Sequence, residues 1–200
     1  MSAALLIAGV AVAAAFGDAW AAPQGASPAA PGTAKPDRSW IQRSNDFTEL
    51  LLDVTKKHSP EAASAQGLAQ YDEQVSQPTK QDDDASVAET KAVQIKLTRA
   101  LAIEHDKNVQ EDLSILLHSI ELSLKTHDFT EAHEVPYDNA SQDVFQGLRG
   151  LLDDQVAPER RKAALVRLRK YAGVEPGYKP LTEILKQRAL ELWSRSPSRT

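Results

Sequence analysis

From Ser39 onward, apolar residues recur at helical intervals along almost the whole chain. In SWIQRSNDFTELLLDVTKKHS, the spacing of Trp40, Phe47, Leu51 and Val54 puts all four on one stripe of a helix. Ser39 is the expected N-cap, and Lys56, Lys57 and His58 stand where the helix dipole favours cations. Ser59-Pro60 predicts a short second helix with proline at its first position, where the missing N–H costs nothing, and Gly67 ends it. Gln74 to Asp84 (QVSQPTKQDDD) is a polar break. Its acids Asp82, Asp83 and Asp84 could pass for a metal-binding cluster, but no glycine-centred calcium-loop spacing surrounds them. They precede a long helical pattern and suit its N-terminus electrostatically. That helix runs through Val93, Leu97 and Leu101. Asp106 then caps the cleanest segment, in which Val109, Leu113, Leu116, Leu117, Ile120 and Leu124 fall on one face. The two segments predict an antiparallel hairpin joined near His105 to Asn108. His127 to Asn139 (HDFTEAHEVPYDN) is expected to be an irregular connection, with HEVPY its one extended candidate. A basic helical stretch follows, with Gly173 at a C′ position and Pro176, Gly177 and Pro180 in a turn. A last helix is predicted from Leu181 to about Trp193. The expected fold class is all-α, a multi-helix array of antiparallel amphipathic helices.

The pattern ahead of Ser39 is different. MSAALLIAGVAVAAAFGDAWAAPQ holds an apolar run from Ala3 to Phe16, and then the small-x-small motif Ala19-Trp20-Ala21. It predicts a secretory signal peptide over 1–21, although a basic n-region is missing. The run is shorter than the roughly 20 residues of a membrane span, and Asp18 closes it, so no stable membrane span is expected. Residues 22–38, rich in Pro, Ala, Gly and Ser, bury too little to offset the cost of ordering them and predict a flexible linker. Residues 39–193 then form the helical domain and 194–200 a disordered tail. The expected location is periplasmic or secreted.

Composition narrows the chemistry. The 200 residues are 42% hydrophobic and 26% charged, a globular balance in one domain. With no cysteine, a disulfide framework, a thiolate metal site and a cysteine nucleophile are all excluded. The only His-Glu pair, His133-Glu134, has Tyr137 at its fifth position and Pro136 inside, so the helical zinc motif His-Glu-x-x-His is absent. His127 and His133 with Asp128 and Glu134 could form a loop metal site, but two imidazoles without a third strong ligand favour plain loop residues. His118 reads as a boundary residue of its helix. No glycine-rich phosphate loop, nucleophile elbow or Ser/His/Asp set is present. Gly147 and Gly150, three apart in an apolar pattern, suit close helix–helix approach. No catalytic, cofactor-binding or metal-ligating residue is assigned.

Gln146 to Gly173, QGLRGLLDDQVAPERRKAALVRLRKYAG, carries six basic residues between Arg160 and Lys170 in a chain of net charge −5. Pro158 fits the first turn of its helix and Glu159 complements the dipole. Leu165, Leu168 and Ala172, with Ala164 and Tyr171 alongside, predict the buried face. Arg160, Lys162, Arg167, Arg169 and Lys170 are expected on the remaining surface. An acidic, exported chain with no basic stripe argues against a nucleic-acid or membrane surface and for a solvated or partner-facing helix.

FQGLRGLLDDQVAPERRKAALVRLRKYAGVEPGYKPLTE, Phe145 to Glu183, closely resembles a segment of the bacterial domain-of-unknown-function 885 family. SWIQRSNDFTELLLDV and the PEAASAQGL and YDEQV runs look like that family's N-terminal helices in the same order, so the resemblance covers about Ser39 to Glu191. It implies an exported or lipid-anchored protein near three times this length, similar to helical gluzincin-type zinc metallopeptidases, with His-Glu-x-x-His and a further glutamate in the later part. Zinc is thus implied for full-length members, and no cofactor for this chain. The closing LWSRSPSRT no longer looks like the family, which predicts a truncated fragment. The implied function is an N-terminal helical portion that supplies one wall of a substrate cleft and is inactive alone. Its partners would be the family's C-terminal part and, in the full-length form, a peptide substrate. The alternatives are an autonomous periplasmic helical interaction module and an enzyme using a metal at His127 and His133.

Overall fold

The computed structural model describes residues 38–133 and 138–195. The expected signal peptide, most of the linker, the core of the HEVPY piece and residues 196–200 lie outside them. Every regular element among the described residues is helical: α1 (Ser39–His58), α2 (Pro60–Ala65), α3 (Lys80–Ile103), α4 (Lys107–His133), α5 (Ala140–Leu152), α6 (Lys162–Tyr171) and α7 (Leu181–Arg195). Short 3-10 turns at Ala69–Tyr71 and Pro158–Arg161 complete the set. The all-α class is therefore observed.

Helices α1, α3 and α4 pack around one core of Leu51, Val54, Val93, Leu97, Val109, Leu113, Ile120 and Leu124. These are the residues whose spacing defined the stripes, and Leu97, Val109 and Leu113 are wholly shielded from water. Burial of each such side chain contributes about 1.5–3 kcal/mol. The helix starts are set locally. Ser39 does not cap α1: the Ile41 N–H already bonds to Arg38 O (3.0 Å), so Arg38 is the N-cap and Ser39 the first helical residue. Thr79 caps α3 by accepting from the Asp82 N–H (3.1 Å), which brings Asp82 and Asp83 inside the first turn. Asp106 accepts from the Asn108 N–H (2.9 Å) at the start of α4, as the sequence suggests.

The second half is a smaller assembly. Val75, Tyr171, Leu181 and Leu185 form one cluster with Val144 and Tyr178 against it. Leu151, Ala163 and Ala164 form another. Gly173 (φ +68) takes the left-handed C′ position that ends α6, with the Val174 N–H returning to Arg169 O (2.9 Å).

Two further expectations fail here. Residues 127–133 are not an irregular connection but the last two turns of α4. HDFTEAH contains neither Gly nor Pro, and Glu131 is tied to Arg188 of α7 (3.4 Å), so the helix persists towards Pro136. The buried face of α6 is also not the leucine stripe. Leu165 and Leu168 are 63% and 44% exposed, whereas Ala163, Ala164, Arg167 and Tyr171 are buried. Small residues let α6 approach α5 closely; two leucines on that side would hold them apart.

Candidate functional site

Three of the six basic residues of the Arg160–Lys170 stretch, Arg160, Arg167 and Lys170, turn inward as a clamp, while Lys162 and Arg169 stay on the exposed surface expected of all five. Arg167 is 1% exposed, the bulkiest of the fully buried side chains among the described residues. Its guanidinium donates to three carbonyl oxygens: Gln74 O (3.1 Å), Tyr71 O (3.1 Å) and Gly147 O (2.6 Å). Arg160 donates Nε to Asp72 Oδ2 (2.7 Å) and Nη2 to Asp72 Oδ1 (2.6 Å) and Ser64 O (2.8 Å). Ser64 Oγ completes the arrangement by donating to Asp72 Oδ1 (2.7 Å). Lys170 Nζ reaches Glu73 O (2.6 Å). The segment between α2 and α3 is thus strapped across α5 and α6 by three cations. The Arg160 guanidinium holds the Asp72 carboxyl below the usual carboxylate range, and Asp72 raises Arg160 in turn. Bidentate arginine–carboxylate geometry of this kind fixes orientation as well as adding energy.

Beside the strap lies a second polar group. The Tyr171 hydroxyl donates to Glu61 Oε1 (2.8 Å), which also accepts from the Ser76 N–H (2.8 Å) and Oγ (3.1 Å). Burial, and then the neighbouring Glu61, push the Tyr171 phenol far above its ordinary value. It is a fixed donor and cannot serve as a base near neutral pH. Burial also raises Asp143, with Asp138 adding to it. Gly147 is where α5 meets this group: a Cβ there would collide with the Tyr171 hydroxyl, whereas one at Gly150 would meet open space. Only the first of the two glycines serves the close approach.

The histidines do not converge. His58 is held between Asp82 (Nδ1–Oδ1, 2.8 Å) and Glu89 (Nε2–Oε2, 3.2 Å), one carboxylate at each nitrogen. His127 Nδ1 stands 3.9 Å from Asp83, which is paired with Arg188 (2.8 Å). His133 tilts against the Phe129 ring, 4.6 Å between centroids, and His118 is exposed. Asp82, Asp83 and Asp84 go to three different partners: His58, Arg188 and Lys80. Among the described residues no three His, Asp or Glu side chains are placed to hold a metal ion. The loop metal site at His127 and His133 is not assembled, and Glu134 lies outside the described residues. The zinc implied by the family resemblance finds no fitting donor set among them.

The remaining feature is a hollow. Phe145, Leu148 and Leu152 of α5, with Arg149, Asp153 and Asp154, line an open depression of about 550 Å³. Phe145 and Leu152 are 59% and 54% exposed, so its floor is apolar and wet. Asp153 accepts from the Gln155 N–H (3.0 Å), turning the chain at its acidic end. Sequence reasoning missed the inward arginines for one reason. Leucine spacing points to Leu165 and Leu168 on α6, while the Ala163-Ala164-Arg167-Tyr171 stripe has the same period and carries the true contact.

No protein-family model, curated protein or solved structure matches the chain. Among the described residues no helix is long and apolar enough to cross a membrane.

Proposed function

We propose that the chain is a protein-binding helical wall, whose α5–α6 side is covered by further polypeptide. One observation carries it. Twelve large apolar side chains stand exposed among the described residues, against seventeen buried hydrophobic residues of which three are alanines. Scattered exposed leucines are ordinary, but Phe145 and Leu152 share a hollow of ligand-accepting size. Around it the polar groups are well anchored, which gives the wall rigidity without giving it a reacting centre. The family resemblance supplies a candidate for what covers it: the catalytic part of an exported zinc-metallopeptidase-like protein, beside whose cleft this wall would stand. A separate partner protein is the second reading, favoured by the internal completeness of the strap, which needs no outside group to hold it.

The test is fluorescence of an environment-sensitive apolar dye with the purified chain, alongside the double variant Phe145→Ser/Leu152→Ser. Strong dye binding by the chain, reduced at least about twofold in the variant, is expected. Equal binding by both defeats the assignment to this hollow. Chelator-sensitive hydrolysis of peptides by the chain alone would replace the wall reading with an enzymatic one.

A further inference from the structure

On its outer side, away from the core, α4 carries a second stripe. Ile115, Leu122 and Phe129, at intervals of seven, are 52%, 58% and 59% exposed. Seven residues is the period that a second helix can follow along its whole length. The stripe ends in opposite chemistry: Glu111 lies on the same line one turn before Ile115, and His133 one turn beyond Phe129. Along one flank run Glu121 and Lys125, at present joined within the helix (2.6 Å). Between the apolar positions Ser119 and Thr126 stand on one side of the line, small enough to admit a neighbour's side chain, and His118 and Lys125 on the other.

We propose that this face pairs with the same face of a second copy, antiparallel, about a two-fold axis at Leu122. The sequence on the stripe decides both occupant and direction. An antiparallel pair sets Ile115 against the other copy's Phe129, a small knob against a large one, and Leu122 against itself. It also sets Glu111 beside the other copy's His133. Because antiparallel helices oppose like flanks, it sets Lys125 between the other copy's His118 and Glu121, so that Glu121 comes within reach of the other copy's Lys125 twice over. A parallel pair would put Glu111 on Glu111 and His133 on His133, and would leave the Glu121–Lys125 flank facing threonine and serine. The face is therefore self-complementary in one orientation only, which is the requirement of an isologous dimer. It lies on a different helix from the α5 hollow, so the proposal stands or falls apart from the wall reading.

The chain contains no cysteine, which gives a clean test. Single variants Ile115→Cys, Leu122→Cys and Phe129→Cys are oxidised and run without reductant, and the mass of the unmodified chain is followed by sedimentation over about 1–500 μM. The expected result is a monomer–dimer equilibrium and efficient cross-linking of Leu122→Cys alone, because only that position meets its own copy. Mixing Ile115→Cys with Phe129→Cys should restore cross-linking between the two. Leu122→Asp, which buries two carboxylates together at the axis, should weaken dimerisation at least about tenfold with the helical circular dichroism unchanged. A chain that stays monomeric to the highest concentration overturns the proposal. So does equal cross-linking at all three positions, which would mean parallel pairing, or a dimer that tolerates Leu122→Asp.

Discussion

Arg167 and Leu165 form the sharpest pair of perturbations, because helical leucine spacing and the folded structure rank them oppositely. Arg167→Met keeps the aliphatic stem and removes the guanidinium. Three carbonyls lose a donor, but not equally. Tyr71 O still receives the Gln74 N–H (3.0 Å), and Gly147 O keeps its place in the α5 ladder, so each gives up a second bond. Gln74 O loses the donor that Arg167 alone supplies to it in the strap. One orphaned carbonyl costs about 1–3 kcal/mol, and the two lost second bonds about 0.5–1.5 kcal/mol each. Against this, the buried charge no longer has to be kept out of water, which returns part of the loss. The expected net destabilisation is about 2–4 kcal/mol. Leu165→Ala, at 63% exposure, should cost under about 0.5 kcal/mol, where a buried leucine would cost 2–5 by the usual range. Urea unfolding followed by circular dichroism at the helical band reads both. A Leu165→Ala loss larger than that of Arg167→Met would refute the inward-arginine assignment outright.

Further outcomes follow from the same neighbourhood. Gly147→Ala should destabilise by about 1–3 kcal/mol by forcing the Tyr171 hydroxyl off Glu61, while Gly150→Ala should stabilise by about 0.4–1 kcal/mol, both readable by thermal unfolding. Asp72, whose folded value is depressed by Arg160, contributes stability that is present above the unfolded carboxylate value and is lost as pH falls towards the folded one. Asp72→Asn should therefore lower stability at neutral pH and flatten the acid limb of a stability–pH curve. Asp143 has the opposite sign, since burial raises its folded value and stability is lost as pH rises through the carboxylate range. Asp143→Asn should remove that loss and leave the protein more stable near neutral pH.

Much of the first half was legible in the sequence because its core obeys a single rule. On α1, α3 and α4 the buried side chains are branched aliphatics at helical spacing, joined by only two small polar residues, Ser44 and Thr90. The hairpin joint, the Asp106 cap and the Gly173 stop are likewise local chemistry, settled within a few residues. The second half was not legible in the same way. Its inward face is made of Ala163, Ala164, Arg167 and Tyr171, and what makes an arginine acceptable there is a set of carbonyls more than ninety positions away in sequence or on another helix. No local pattern carries that information. The extension of α4 to His133 was hidden for a similar reason, since its last turns hold few apolar residues and are secured by the Glu131–Arg188 contact. The partners of the histidines were not legible either: His58 meets Asp82 and Glu89, and His127 faces Asp83, all of them far off in sequence.

The strap also has a consequence in time. Residues 71–74 leave the ribosome long before the partners that hold them, since Arg160 and Arg167 come 88 and 96 positions after Asp72 and Tyr71. The α3–α4 hairpin can close early through neighbouring contacts, but the segment just ahead of it must wait, with its carbonyls on water, until α6 has been made. The chain therefore folds its middle before it fastens its beginning to its end. A cut or stall between α4 and α5 would leave the three-helix core intact and that segment with only its local bonds, such as Ser64 Oγ to Asp72, to hold it.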